Sequence, residues 1–239
     1  MATTINKQRV LTQFFQLLKD HNEEPQGVAL PVLEQFLYGI CREGATREAA
    51  DRAFAALRSR FFDWNEVRVS SRAEVEEALG DLPNVEQRAQ RILDFLQEVF
   101  ETTFSFDLEG LHKKGIKQAA KALTRYQAAR DDDFICSWVT QRTLGGHAIP
   151  LDGPTLRVCE RLGLIESEQE DREAVRTSLE HLIPKAKGPH FTELVSRVAQ
   201  DYCWEFEPNC RACPLRSECM TGQEAVEAVP ARGSSRKPR

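Results

Sequence analysis

Residues 203–219 read CWEFEPNCRACPLRSEC and hold four of the chain's seven cysteines, in the spacing Cys203-x6-Cys210-x2-Cys213-x5-Cys219. A chain of 239 residues can bury a core without covalent staples. The start, MATTINKQRVLTQFF, has no apolar run of signal-peptide length, and nowhere do eighteen apolar residues follow one another. A soluble, cytoplasmic protein with no membrane partner is therefore expected. In that compartment thiols stay reduced, so clustered cysteines point to metal rather than to disulfides. Four thiolates can close a tetrahedral zinc site. Common zinc modules, however, use two close pairs, and here only Cys210 and Cys213 form one. Unequal gaps in one compact loop suit the wider corners of an iron–sulfur cube. On spacing alone both remain open.

Outward from this loop the chain has ordinary globular composition, 41% hydrophobic and 29% charged, enough for one large domain or two small ones. Its net charge of -5 gives no general attraction for nucleic acid, so any such binding needs local basic patches. Helical periodicity dominates. Val10, Phe14, Leu17 and Leu18 share one face, and Ile92, Phe95, Leu96 and Phe100 share another within residues 86–101. Ser71 and Glu74 have capping-box spacing ahead of AEVEEAL. With no period-two strand and no internal repeat, the expected class is all-α, about ten helices joined by short loops. Cys41, Cys136 and Cys159 sit in apolar helical contexts and read as core. His147, beside Gly145-Gly146, reads as a loop residue. The last eighteen residues lose periodicity and carry Arg232, Arg236, Lys237 and Arg239 with no acid after Glu227, a disordered basic tail that either solubilises or touches phosphate.

The cysteine spacing, with Pro208 before the second cysteine and Cys213-Pro214-Leu215 at the third, resembles the cluster loop of the endonuclease III family, the helix-hairpin-helix DNA glycosylases. The approach HLIPKAKGPHFTELVSRVAQDYC (181–203) is similar to the family's helix into the first ligand. HAIPLDGPTLRVCERLGL (147–164) resembles its catalytic-aspartate segment P-V-D-T-H-V-x-R-V-x-x-R-L-G-L. Together these cover roughly residues 30–220. The resemblance implies a two-lobed helical fold with a [4Fe-4S] cluster on Cys203, Cys210, Cys213 and Cys219. Residues 1–30 would pack with the cluster lobe, 31–149 would form a bundle lobe with its hairpin near 128–136, 150–222 the cluster lobe, and 223–239 the tail. It further implies double-stranded DNA as partner, a monomer associated with the nucleoid, Asp152 as catalytic carboxylate in the cleft, and Arg211 and Arg216 on phosphate. An aspartate ahead of Pro154 also suits a plain helix cap.

Two family features do not carry over. Counted without a gap from Asp152, the hairpin L-P-G-V-G-x-K-T-A falls on AARDDDFIC (128–136). Both glycines are replaced, Asp131, Asp132 and Asp133 stand together, and Phe134 takes the position of the Schiff-base lysine. Acids there repel phosphate, and phenylalanine forms no imine. A rival placement on LEGLHKKGIKQAAKAL (108–123) offers Lys114 but needs about twenty extra residues before Asp152; under the gapless placement Lys114 is a helix-surface lysine. The family's Ser-Gln-Gln-Thr-like stretch, whose glutamine fills the gap left by the flipped base, corresponds to CREGAT (41–46), which has no glutamine. Lys113, Lys117, Lys121 and Arg125 recur every four residues as a basic stripe, either a solvated face or a relocated phosphate-binding ridge, on a helix whose start Gly115 weakens. The sequence thus supports two functions: a monofunctional glycosylase using Asp152 without a lyase lysine, or a binding module that keeps fold and cluster without catalysis.

Overall fold

The computed structural model of the protein describes residues 6–19, 30–129, 133–166 and 171–227. Its regular structure is helical throughout: α1 (Lys7–Leu17), α2 (Val32–Arg42), α3 (Arg47–Arg60), α4 (Trp64–Val69), α5 (Arg72–Leu79), α6 (Val85–Thr103), α7 (Ile116–Leu123), α8 (Asp133–Arg142), α9 (Gly153–Arg161), α10 (Arg172–Leu182), α11 (Gly188–Asp201) and α12 (Met220–Glu227). Among the described residues there is no strand, and no helix is long and apolar enough to cross a membrane.

The apolar faces converge on two separate cores. The first runs from Val32 to Val139 and centres on α2 and α6, where Phe36 and Phe95 stack at 3.7 Å between ring centroids and 5° between planes. Tyr126 meets both rings edge-on. The second core joins Val10, Leu11, Phe14 and Leu18 of the N-terminal segment to residues 149–215, with Phe14 against Phe191 at 5.3 Å. The N-terminal helix therefore belongs to the later part of the chain. Residues 10–18 and 149–215 thus build one lobe, and residues 32–139 the other.

Local chemistry explains the helix ends. The Ser71 hydroxyl accepts from the Glu74 amide while the Glu74 carboxylate accepts from the Ser71 amide, the reciprocal cap that the spacing predicts. Asn6 caps α1 through its side-chain oxygen.

Several expectations are corrected. Leu17 is 38% exposed, because α1 turns Leu11 inward instead. The described residues hold twelve α-helices where about ten were expected, since breaks at Ser70 and at residues 80–84 divide the early bundle. The basic stripe does not lie on one helix: Lys113 ends a 3-10 turn (Glu109–Lys113), Lys114 follows it, and Gly115 caps α7, which then carries Lys117 and Lys121. Gly115 thus starts the helix rather than weakening one, and Lys114 is not a helix residue. The segment expected as a tail begins inside α12, whose Gln223 amide donates to the Cys219 carbonyl. Residues 228–239 lie outside the described residues.

Candidate functional site: a carboxylate at the lobe seam and a ring of four thiols

Asp152 is the N-cap of α9, with Pro154 in the first turn, and is 6% exposed. Its Oδ1 accepts the Thr155 amide at 2.9 Å, the ordinary cap bond. Its Oδ2 accepts the Gly44 amide, also at 2.9 Å, from the turn between α2 and α3 in the other lobe. Gly44 has φ +62°, where a side chain is strained, so glycine suits this turn. The carboxylate is fixed at the seam, and each of its oxygens retains a second lone pair for water or substrate.

Arginines brace that turn from both sides. Arg88, buried, donates to the carbonyls of Pro83, Ile40 and Glu43, and burial pulls its guanidinium pKa down. Arg42, 3% exposed, donates to the Ala45 carbonyl and, at 2.7 Å, to the Ser196 hydroxyl of α11. Glu193 on α11 takes Arg42 at 3.4 Å and Arg142 of α8 at 2.5 Å. Arg142 also lies 4.5 Å over the Trp138 ring. Arg42 and Arg142 thus share the one carboxylate of Glu193.

Beside this network lies a cavity of about 540 Å³ between α2, α3, α8 and α11, walled by Tyr38, Phe54, Trp138, Asp51, Arg142 and Glu193. Burial pushes the Tyr38 phenol pKa well above its ordinary value, and the hydrogen bond it donates to Asp51 at 2.7 Å raises it further. Its size and mix of aromatic walls with a few polar groups suit a planar heterocycle. This pocket is absent from the sequence reading. Its one signal is that Gln35 and Tyr38, three residues apart and so on one helical face, are polar in the largely apolar α2.

Phe134, on the lysine position of the gapless placement, is 2% exposed and stacks on Trp138 at 5.8 Å and 17°. It is core of the first lobe. Lys114 instead lines a different cavity with Thr102, Tyr126 and Arg125. Asp131 and Asp132 lie outside the described residues, and α8 begins at Asp133. Lys113, Lys117 and Lys121 are exposed, and no ion pair joins them to a carboxylate among the described residues.

Cys203, Cys210, Cys213 and Cys219 are half-buried, free, and line one cavity whose other walls include Val158, Leu162, Val198 and Leu215. Burial pushes the Cys213 thiol up to about 11; the Leu215 amide pulls the other way, while Cys219, Cys203 and Cys210 raise it further. The four sulfurs are thus electrostatic neighbours. Among the described residues no three His, Cys, Asp or Glu side chains converge closely enough to hold a single metal ion. α9 pins the loop: Arg157 Nε donates to the Cys203 carbonyl at 2.9 Å, and Arg161 Nη1 lies 3.4 Å from Cys203 Sγ. Arg211 and Arg216 are exposed on the same loop. Cys41, Cys136 and Cys159 are buried core thiols, and His147 lies in the loop between α8 and α9 with Nε2 2.9 Å from the Glu180 carbonyl.

No family model matches the chain. Among curated proteins it is similar to Protein ROS1A of Oryza sativa subsp. japonica, 28% identical over 174 residues, and to the DNA glycosylase/AP lyase ROS1 of Arabidopsis thaliana, 26% over 194 residues. The alignments take in 66% and 72% of this chain but only 9% and 14% of those proteins. Among solved structures it is similar to a non-covalent endonuclease III–DNA complex, with TM-score 0.72, 16% identity, and coverage of 94% of this chain and 100% of that one. A trapped endonuclease III–DNA covalent intermediate gives TM-score 0.70 at 16% identity, covering 93% of this chain and 100% of that one. A thermostable thymine-DNA glycosylase gives 0.64 at 15%, covering 91% and 97%. At such identities the structural likeness shows the fold, which is that of the endonuclease III structures, and the partial sequence likeness runs to the ROS1 proteins.

Proposed function

We propose that the chain is a monofunctional DNA glycosylase of the base-excision type, acting on double-stranded DNA as a monomer. A base flipped from the duplex enters the cavity between Tyr38, Phe54 and Trp138. Asp152 stabilises the positive charge that develops on the sugar and orients water toward it. No imine forms, because Phe134 replaces the amine. The observation that carries this reading is Asp152 itself, a buried carboxylate clamped at the lobe seam by amides from both lobes.

Cys203, Cys210, Cys213 and Cys219 fit a [4Fe-4S] cluster: their unequal spacing suits it, and as four free thiols they line one apolar-walled cavity. When bound, such a cluster cross-links the end of α11 to the loop and supplies one-electron redox chemistry. Arg211, Arg216, Lys113, Lys117 and Lys121 are the cations free to meet phosphate, in place of a hairpin whose acids repel it. A nucleoid-associated cytoplasmic location follows from this reading.

One observation favours a second reading, a non-catalytic module that binds nucleic acid or protein. Both Asp152 oxygens already hold main-chain amides, so the same carboxylate serves as a staple between lobes. Incubating the cluster-loaded protein with a panel of lesion-bearing duplexes separates the two. Strand cleavage after alkali establishes the glycosylase, while salt-dependent duplex binding with no cleavage on any lesion establishes the module.

A further inference from the structure

The loop from Cys203 to Cys210 carries the sequence Trp204-Glu205-Phe206-Glu207-Pro208-Asn209, with two acids and no basic residue. Phe206 is 81% exposed and Trp204 45% exposed, among the largest apolar side chains on the described surface. Such display is not the slack of a loose loop. Trp204 Nε1 donates to the Gln200 carbonyl at 2.6 Å, Arg161 donates to the carbonyls of Trp204 at 2.6 Å and Glu205 at 3.0 Å, and the Asn209 amide closes back on Tyr202 at 2.8 Å. Glu207 is held at φ +49°, a region that residues other than glycine seldom enter. Glu205 and Glu207 are exposed, and neither joins an ion pair among the described residues. An aromatic pair flanked by two unpaired carboxylates repels a phosphate backbone and suits a cation, which finds carboxylate oxygens and aromatic faces together.

We infer that this loop is a docking surface for the chain's own basic segment, residues 232–239. That segment supplies Arg232, Arg236, Lys237 and Arg239 with no acid beside them. It is tethered through α12, which starts directly after Cys219 and whose Gly222 packs so tightly on the later part of the cysteine loop that a Cβ there would meet the Arg216 carbonyl at 2.9 Å. The twelve residues after Glu227 can span up to about 40 Å, so they can return across the loop. The tether also raises the local concentration of the cations to the millimolar range. Opposite charge, exposed aromatic faces and the reach of the tether act together at this one place.

The test uses the full chain at low salt without DNA, treated with a carbodiimide that joins amines to carboxylates at zero length and mapped by mass spectrometry. An amide between Lys237 and Glu205 or Glu207 within one chain is expected, absent in E205Q/E207Q and in Lys237→Gln. Phe206→Ser should lower its yield roughly two- to fivefold, the size of one exposed cation–π contact. No such amide, an amide formed only between two chains, or a yield unchanged by Phe206→Ser overturns the inference. So does protection of the 203–210 loop from hydrogen exchange that appears only when duplex DNA is added, which would give the loop to nucleic acid.

Discussion

In the second lobe, α9, α11 and the cysteine loop converge on one cavity lined by the four thiols and Arg216, and Asp152 caps α9. In the first lobe, the gapless placement puts the family's hairpin at the start of α8, with its glycines on Arg130 and Asp132 and its lysine on Phe134, which is buried in the core. Packing accommodates Phe134 in the core that α2 and α6 build, whereas a phenylalanine offers neither a charge to phosphate nor an amine for an imine. The contrast separates what a fold needs to persist from what one activity needs, and it predicts where loss of function and loss of structure part company.

The largest expected effect lies in the thiol ring. Protein prepared anaerobically should be brown, with about four iron and four sulfide per chain, and Cys210→Ser or Cys213→Ser should bleach it. Cys136→Ser, in the other lobe, should keep the colour; stoichiometric zinc in colourless folded wild type would count against the cluster. Next comes the first core. Phe95→Ala removes half of the Phe36–Phe95 stack and should cost about 3–5 kcal/mol in denaturant unfolding, with the iron content unchanged. A loss of iron would show that the lobes are not independent in this respect.

Borohydride sharpens the comparison further. With Phe134 on the lysine position, no covalent complex with abasic DNA should be trapped. Trapping that vanishes in Lys114→Ala would restore the rival placement of the hairpin. The smallest effect is expected on the exposed ridge. Lys117→Gln should weaken duplex binding alike for every sequence, and should lower the salt slope by about 0.9 if that lysine neutralises one phosphate. An unchanged slope would return Lys117 to ordinary solvated surface.

What was legible in the sequence follows from how local each signal is. The thiol ring, the Ser71–Glu74 box and the Asp152 cap are written in residues a few positions apart, and the structure bears out the two caps and gathers the thiols round one space. Core faces were legible as periodicity, though Leu17 shows that a stripe does not say which of two neighbours turns inward. The wall of the cavity was not legible. Tyr38, Asp51, Trp138 and Glu193 come from four helices, and only packing brings them together. Nor was the partner of Asp152: Gly44 lies 108 residues away, and a glycine amide leaves no mark of its own in a sequence.

The most direct test of the central claim compares wild-type protein with Asp152→Asn on one lesion duplex that the wild type processes, measuring single-turnover base release alongside duplex affinity. Asparagine keeps the cap but loses the carboxylate charge. Base release should fall by about 10²- to 10⁴-fold, the usual contribution of a positioned acid–base group, while affinity stays within about threefold. Equal release by the two proteins would contradict Asp152 as the catalytic carboxylate, and binding without release from any duplex, wild type included, would contradict the glycosylase itself.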